Sequence, residues 1–143
     1  MGKAEGRGVT FDLPMPPSLN GMFATDFKTK RRFASKAYTA WKREAGDALG
    51  AQYAAYGSPS VHKPVRLHIK LGINYQSDIA NREKAITDLL VANIDMPDDR
   101  YIDFLMIERD QSVTGAVVTI EGCAIAPQNN FAAALVNPRI GKA

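Results

Sequence analysis

Val65-Arg66-Leu67-His68-Ile69-Lys70-Leu71-Gly72-Ile73-Asn74 is the stretch that decides the fold. Val65, Leu67, Ile69, Leu71 and Ile73 alternate with Arg66, His68, Lys70, Gly72 and Asn74 without a break. Side chains along a strand point alternately to its two faces, so this pattern predicts a strand with one buried and one wet face. Downstream, residues 79–93 carry a helical period. Asp95-Met96-Pro97-Asp98-Asp99 reads as a turn, and residues 102–109 and 115–122 read as two more strands joined by a turn at 110–114. Upstream, residues 33–56 predict a long helix. Tyr38, Trp41, Ala45, Ala48, Leu49, Gln52 and Tyr56 fall at three- and four-residue steps, and Gly57-Ser58-Pro59 ends the run. Val9 to Leu13 reads as a short first strand, stopped by Pro14. The order strand, helix, strand, helix, strand, strand predicts a small α/β (α+β) domain: a mixed β-sheet packed by two main helices.

A chain of 143 residues holds one ordinary domain. Hydrophobic residues make up 45% and charged residues 23%, which excludes global disorder and fibrous classes. Apolar runs are far too short to span a bilayer. Residues 1–10 carry Lys3, Glu5 and Arg7 and no apolar core of a secretory signal, so the expected location is the cytoplasm. Residues 1–8 are expected to be a flexible terminus, 9–122 the folded domain, and 123–143 a partly ordered extension. The single cysteine, Cys123, excludes an internal disulfide and reads as a small core residue. His62 and His68 do not have the look of a metal pair, because His68 falls on the polar side of its strand.

Chemistry concentrates in two places. At about 100° per residue, Asn81, Lys84 and Asp88 gather on the polar side of the second helix, with Asp78 at its entry in an N-cap position. An N-cap and a solvated face account for that ridge without any function. Asp98 and Asp99 follow in the turn. Were they to approach Asp78, the converging carboxylates would need a divalent cation, and Mg²⁺ prefers such oxygens.

The second place is basic. Lys28, Lys30, Arg31, Arg32, Lys36, Lys42 and Arg43 lie in a stretch with no Asp or Glu, and Phe27, Phe33, Tyr38 and Trp41 are interleaved. Cations with aromatics suit phosphates and base stacking, although Tyr38 and Trp41 also fit a helix core. At the start of a predicted helix, Lys30 to Lys36 oppose the helix dipole, which suggests placement for a ligand. The formal charge of +3 is therefore uneven. The seven cations of residues 28–43 leave 11 basic against 15 acidic residues elsewhere, a net −4.

Leu13-Pro14-Met15-Pro16-Pro17-Ser18-Leu19-Asn20, then Ser35 and Tyr38, then Asp78-Ile79-Ala80-Asn81-Arg82-Glu83-Lys84, Asp88-Leu89-Leu90 and Asp98-Asp99 together resemble the RusA family of Holliday junction resolvases. The resemblance covers residues 9–122. It implies a homodimer that binds branched DNA and resolves four-way junctions by paired, Mg²⁺-dependent phosphodiester hydrolysis, with Mn²⁺ as a possible substitute. Such enzymes serve DNA recombination and repair in bacterial cells and are typical of phages and prophages. By position, the resemblance implies Asp78, Lys84 and Asp99 as catalytic, Asp78 and Asp99 as metal-site residues with Asp98 beside them, and Asn81 and Asp88 as supporting positions. Lys28, Lys30, Arg31, Arg32 and Lys36 would hold DNA backbones. The departure is Ala80, where the family carries a second motif aspartate. Three explanations stay open: Asp98 or Asp88 completes the site, the site works with weaker metal binding, or the chain binds junctions without cutting them. A basic surface for a protein or RNA partner is the remaining alternative.

Overall fold

A computed structural model of the chain describes residues 8–122. The expectations for residues 1–7 and 123–143, Cys123 included, lie outside the described residues. Gly8, expected in the flexible terminus, is the first residue of a strand. In chain order the elements are β1 (Gly8–Leu13), α1 (Leu19–Met22), β2 (Phe23–Thr25), β3 (Arg32–Ala34), α2 (Lys36–Ala55) and β4 (Val65–Leu71). There follow a 3-10 turn (Ile79–Arg82), α3 (Glu83–Asn93), a second 3-10 turn (Asp99–Tyr101), β5 (Ile102–Arg109) and β6 (Ala116–Gly122). The fold is α+β. Four strands form a mixed sheet in the order β1-β6-β4-β5. β4 and β5 run parallel, joined through α3, whereas β6 is antiparallel to both β1 and β4.

The alternation read in β4 sets the layers. Val65, Leu67, Ile69 and Leu71 are fully buried, as are Phe11 of β1 and Ala116, Val118 and Ile120 of β6. They meet Trp41, Ala45, Leu49 and Tyr53 of α2, and Ala85, Ile86, Leu89 and Leu90 of α3. The opposite face carries Arg66, His68 and Lys70, paired with Glu121, Glu108 and Asp110.

Three sequence expectations change. β4 stops at Leu71 rather than Asn74, because the connection from β5 to β6 crosses over its end. A Cβ on Gly72 would lie 2.0 Å from the Val113 carbonyl oxygen, so only glycine fits beneath that crossing. β5 and β6 are therefore consecutive but not neighbours, with β4 between them. The long helix begins at Lys36, not Phe33. Ser35 is its N-cap, and residues 23–25 and 32–34 form a separate antiparallel hairpin that the apolar pattern did not announce. The second helix starts as a 3-10 turn at 79–82 and becomes α-helical only from Glu83. Among the described residues, no helix is long and apolar enough to cross a membrane.

Candidate active site and nucleic-acid interface

The proline-rich segment reaches the site because prolines keep their carbonyls while lacking N–H groups. The Trp41 indole N–H donates to the Pro14 carbonyl at 3.0 Å, and Arg82 Nη1 donates to the Pro16 carbonyl at 2.6 Å. These two bonds pin residues 14–16 between α2 and the 3-10 turn before α3. Ser18 then caps α1, its hydroxyl accepting the Gly21 N–H. Ser35 accepts the Tyr38 N–H at 3.1 Å and donates to the Gly21 carbonyl at 2.7 Å, tying the start of α2 to the base of the hairpin.

Asp78 sits where the sequence placed it. It is the N-cap of the 3-10 turn, and its Oδ1 accepts the Ala80 N–H at 3.0 Å. Asn81 is half-buried in that turn, its N–H directed at the Asp78 carbonyl. One turn on, Lys84 Nζ lies 3.0 Å from Asp88 Oδ1 and 3.6 Å from Asp99 Oδ2. The turn after α3 thus returns Asp99 to the first turn of the helix, and Lys84 gathers the two acids. The hydrogen bond to Asp88, aided by the charges of Asp88 and Asp99, holds the Lys84 ammonium above the ordinary lysine range. Hydrogen bonding to Asp99 lowers the Asp98 carboxyl below the usual range. The ridge therefore sets carboxylates of α3 and of the following turn around the Lys84 amine.

Hard carboxylate oxygens suit Mg²⁺ chemically. Among the described residues, no group of three or more His, Cys, Asp or Glu side chains lies close enough together to hold a metal ion. At the position of the missing motif aspartate, exposed Ala80 presents only a methyl group. The donors fit Mg²⁺ only in the mode where one or two carboxylates are completed by water and substrate phosphate oxygens.

The basic residues fall differently from expectation. Lys28, Lys30, Arg31 and Arg32 belong to the β2–β3 hairpin, and only Lys36 lies at the start of α2. The conflict with the helix dipole thus shrinks to one residue. Arg32 stacks over the Phe23 ring at 4.3 Å, and Phe23 meets Tyr38 edge-on at 5.7 Å. Tyr38 is buried. Burial, then the negative charge of Asp88, pushes its phenol up, with Lys84 opposing. Tyr38, assigned to the core from its spacing, also receives the hairpin through Phe23 and feels the charges of Asp88 and Lys84. Spacing along one helix could not reveal that link, because it needs the hairpin.

A comparison with curated proteins finds no match. The model of the family described as Endodeoxyribonuclease RusA matches residues 14–121, which runs from the pinned proline segment through both acidic positions to β6. The chain belongs to the RusA endodeoxyribonuclease family.

Proposed function

We propose that the chain binds four-way DNA junctions as a homodimer and nicks two opposed strands by phosphodiester hydrolysis. The observation that carries this reading is the ridge itself, where Lys84 lies 3.0 Å from Asp88 and 3.6 Å from Asp99, in a chain whose cationic hairpin packs on α2 through Phe23 and Tyr38. The hairpin and Lys36 supply sequence-independent phosphate contacts. These would bring a phosphodiester toward the ridge. There the Lys84 ammonium, already positioned by Asp88, exchanges part of its pairing with Asp99 for the oxygens where negative charge builds during hydrolysis. Asp78 and Asp99, with Asp98 adjacent, are the residues that would hold Mg²⁺ or Mn²⁺. When bound, such an ion supplies Lewis acidity and a lowered pKa for the attacking water. Asp88 holds Lys84, and Asn81 shapes the turn that presents Asp78. By the family resemblance, the work belongs to DNA recombination and repair in a bacterial cytoplasm, in a phage or prophage setting.

β5 supports the dimer. It is an edge strand whose Phe104, Leu105 and Met106 are all exposed. A two-fold axis perpendicular to the sheet reverses strand direction and preserves the faces. Centred on Met106, such an axis would set that residue against its own copy, with one site in each protomer.

The test is nicking of a synthetic four-way junction with Mg²⁺. Paired nicks are expected from the parent chain, with activity lost by 100-fold or more (order of magnitude, as for removal of transition-state charge stabilisation) in Asp78→Asn and in Asp99→Asn. Tight binding with no cleavage across Mg²⁺ and Mn²⁺ titrations would sink the catalytic part. One observation favours a second reading, a junction-binding protein impaired in cutting: exposed Ala80 stands where the family carries a motif aspartate, and among the described residues no three acids gather around it. Ala80→Asp separates the two. A silent parent that gains activity on this change supports the second reading, and an active parent rejects it.

A further inference from the structure

Phe27 stands alone at the tip of the hairpin and is 88% exposed. The turn beneath it is built rather than loose. Asp26 Oδ1 accepts the N–H groups of Lys28 at 2.8 Å and Thr29 at 3.4 Å, and the Asp26 carbonyl accepts the Lys30 N–H at 2.7 Å. The Asp26 N–H donates to the Arg31 carbonyl at 2.9 Å, and Thr29 Oγ1 accepts the Arg31 N–H at 3.2 Å. Lys30 is held at φ 63°, a left-handed conformation that non-glycine residues seldom adopt. An aromatic ring is thus kept in water on an ordered turn, with Lys28, Lys30 and Arg31 in the same turn and Arg32 stacked on Phe23 further down the hairpin. The one nearby acid, Asp26, is engaged with the backbone. At its other end the hairpin is fixed by the Phe23–Tyr38 contact and the Ser35 bonds.

A ring amid cations suits nucleic acid: phosphates meet the charges and a base meets the ring. A continuous duplex hides its base faces within the stack, whereas a branch point interrupts stacking and leaves faces within reach. We propose that Phe27 stacks on a base at the branch point of four-way DNA, so that the hairpin tip distinguishes a branch from a continuous duplex. This rests on the junction-binding reading. The neighbouring cations contribute affinity for any DNA, and Phe27 contributes the preference for a branch.

The experiment measures binding in metal-free buffer. The full-length chain is titrated against a synthetic four-way junction with 2-aminopurine at the branch point, and against a linear duplex of the same arm sequence. Phe27→Ala is expected to weaken junction binding about ten-fold, to abolish the change in 2-aminopurine fluorescence, and to leave duplex affinity and the salt slope unchanged. Phe27→Trp is expected to restore both junction signals. Lys28→Ala is expected to weaken both DNAs and to lower the salt slope by about one. Equal losses on both DNAs in Phe27→Ala, or no loss on either, would overturn the proposal. So would a change in oligomeric state, which would assign the tip to a second copy of the chain. A parent chain without preference for the junction would remove the junction-binding reading itself. A parent that prefers the junction, with Phe27→Ala retaining that preference, would remove only the role of Phe27.

Discussion

The sheet has two edges, and they are finished in opposite ways. At β1 the outward backbone groups are taken up by α2. The Gln52 side chain accepts the Asp12 N–H through Oε1 and donates to the Asp12 carbonyl through Nε2, both at 2.8 Å. Two residues back, the Tyr56 hydroxyl accepts the Thr10 N–H at 3.0 Å and donates to the Thr10 carbonyl at 3.1 Å. Gln52 of α2 and Tyr56, the C-cap of that helix, are four apart, and Thr10 and Asp12 are two apart on one strand, so the two periods match. At β5, among the described residues, no side chain bonds the backbone of residues 103–108, and Phe104, Leu105 and Met106 are 39%, 45% and 43% exposed. An edge left bare in a monomer normally carries charged residues, proline or a bulge, and β5 has an irregularity of register at Asp103, near its start. Here the centre of the strand is a continuous apolar run, which suits a strand with neighbours on every side. The contrast teaches that edge exposure is managed selectively in this fold: one edge is closed by α2 and its C-cap, and the other, among the described residues, has no such cover.

The largest effect should come from charging the uncovered edge. Met106→Lys places a like-charged pair across the proposed two-fold axis, in a setting where such juxtaposition costs several kcal/mol. Dimer dissociation should rise by about 100-fold or more, read by sedimentation, and junction cleavage should shift from paired to single nicks. Folding should be intact, because the position is already exposed. A variant that stays dimeric at the parent's concentration dependence would remove β5 from the interface.

The converse is to open the closed edge. Gln52→Ala removes two hydrogen bonds to β1 and should cost about 1–3 kcal/mol, since each is worth about 0.5–1.5 kcal/mol net. The urea midpoint should fall with an unchanged denaturant slope. Tyr56→Phe keeps the ring that meets Phe11 edge-on at 5.7 Å and loses only the hydroxyl, so about 1 kcal/mol is expected. If Gln52→Ala also promotes self-association, the sealing of β1 prevents edge pairing as well as stabilising the monomer.

These edges also show where the sequence could be read and where it could not. β4 was legible because burial of one face imposes a period of two along seven consecutive residues. Gln52 and Tyr56 were visible as members of a helical stripe at three- and four-residue steps, but their bonds to β1 were not. Their partners lie 40 and 46 residues away, and no local period encodes such a pairing. β5 was recognisable as a strand, whereas its place at an edge depends on β6 inserting between β1 and β4. The β2–β3 hairpin escaped because three-residue strands show no period. Its one local signal was Asp26, whose side chain caps the turn. In the site, the spacing of Asn81, Lys84 and Asp88 along one ridge was readable, and the Lys84–Asp88 pair follows from it. The approach of Asp99 to Lys84 required the path of residues 94–98. The Arg82–Pro16 bond, spanning 66 residues, required the whole fold.

The smallest effect concerns the turn that carries the chain from the open edge back into the middle of the sheet. Asp110 Oδ1 accepts the Ser112 N–H at 2.9 Å and the Ser112 hydroxyl at 2.6 Å, and Lys70 Nζ lies 3.8 Å from its Oδ2. The Ser112 bonds first, and Lys70 after them, hold this carboxyl below the usual carboxylate range. A lowered folded-state pKa means that the ionised form is the one folding favours. The stabilisation is therefore complete above the unfolded aspartate value of about 3.9 and is lost as pH falls through the folded value. Asp110→Asn should lower the melting temperature slightly at pH 7. The deficit should shrink toward zero as the pH is taken into the acid range, because the parent then loses the same charge. Thermal melts of both proteins between neutral and acid pH check this. A deficit that stays constant with pH would mean that the turn depends on the shape of the side chain rather than its charge, and the β5–β6 crossing over Gly72 would then be held by packing alone.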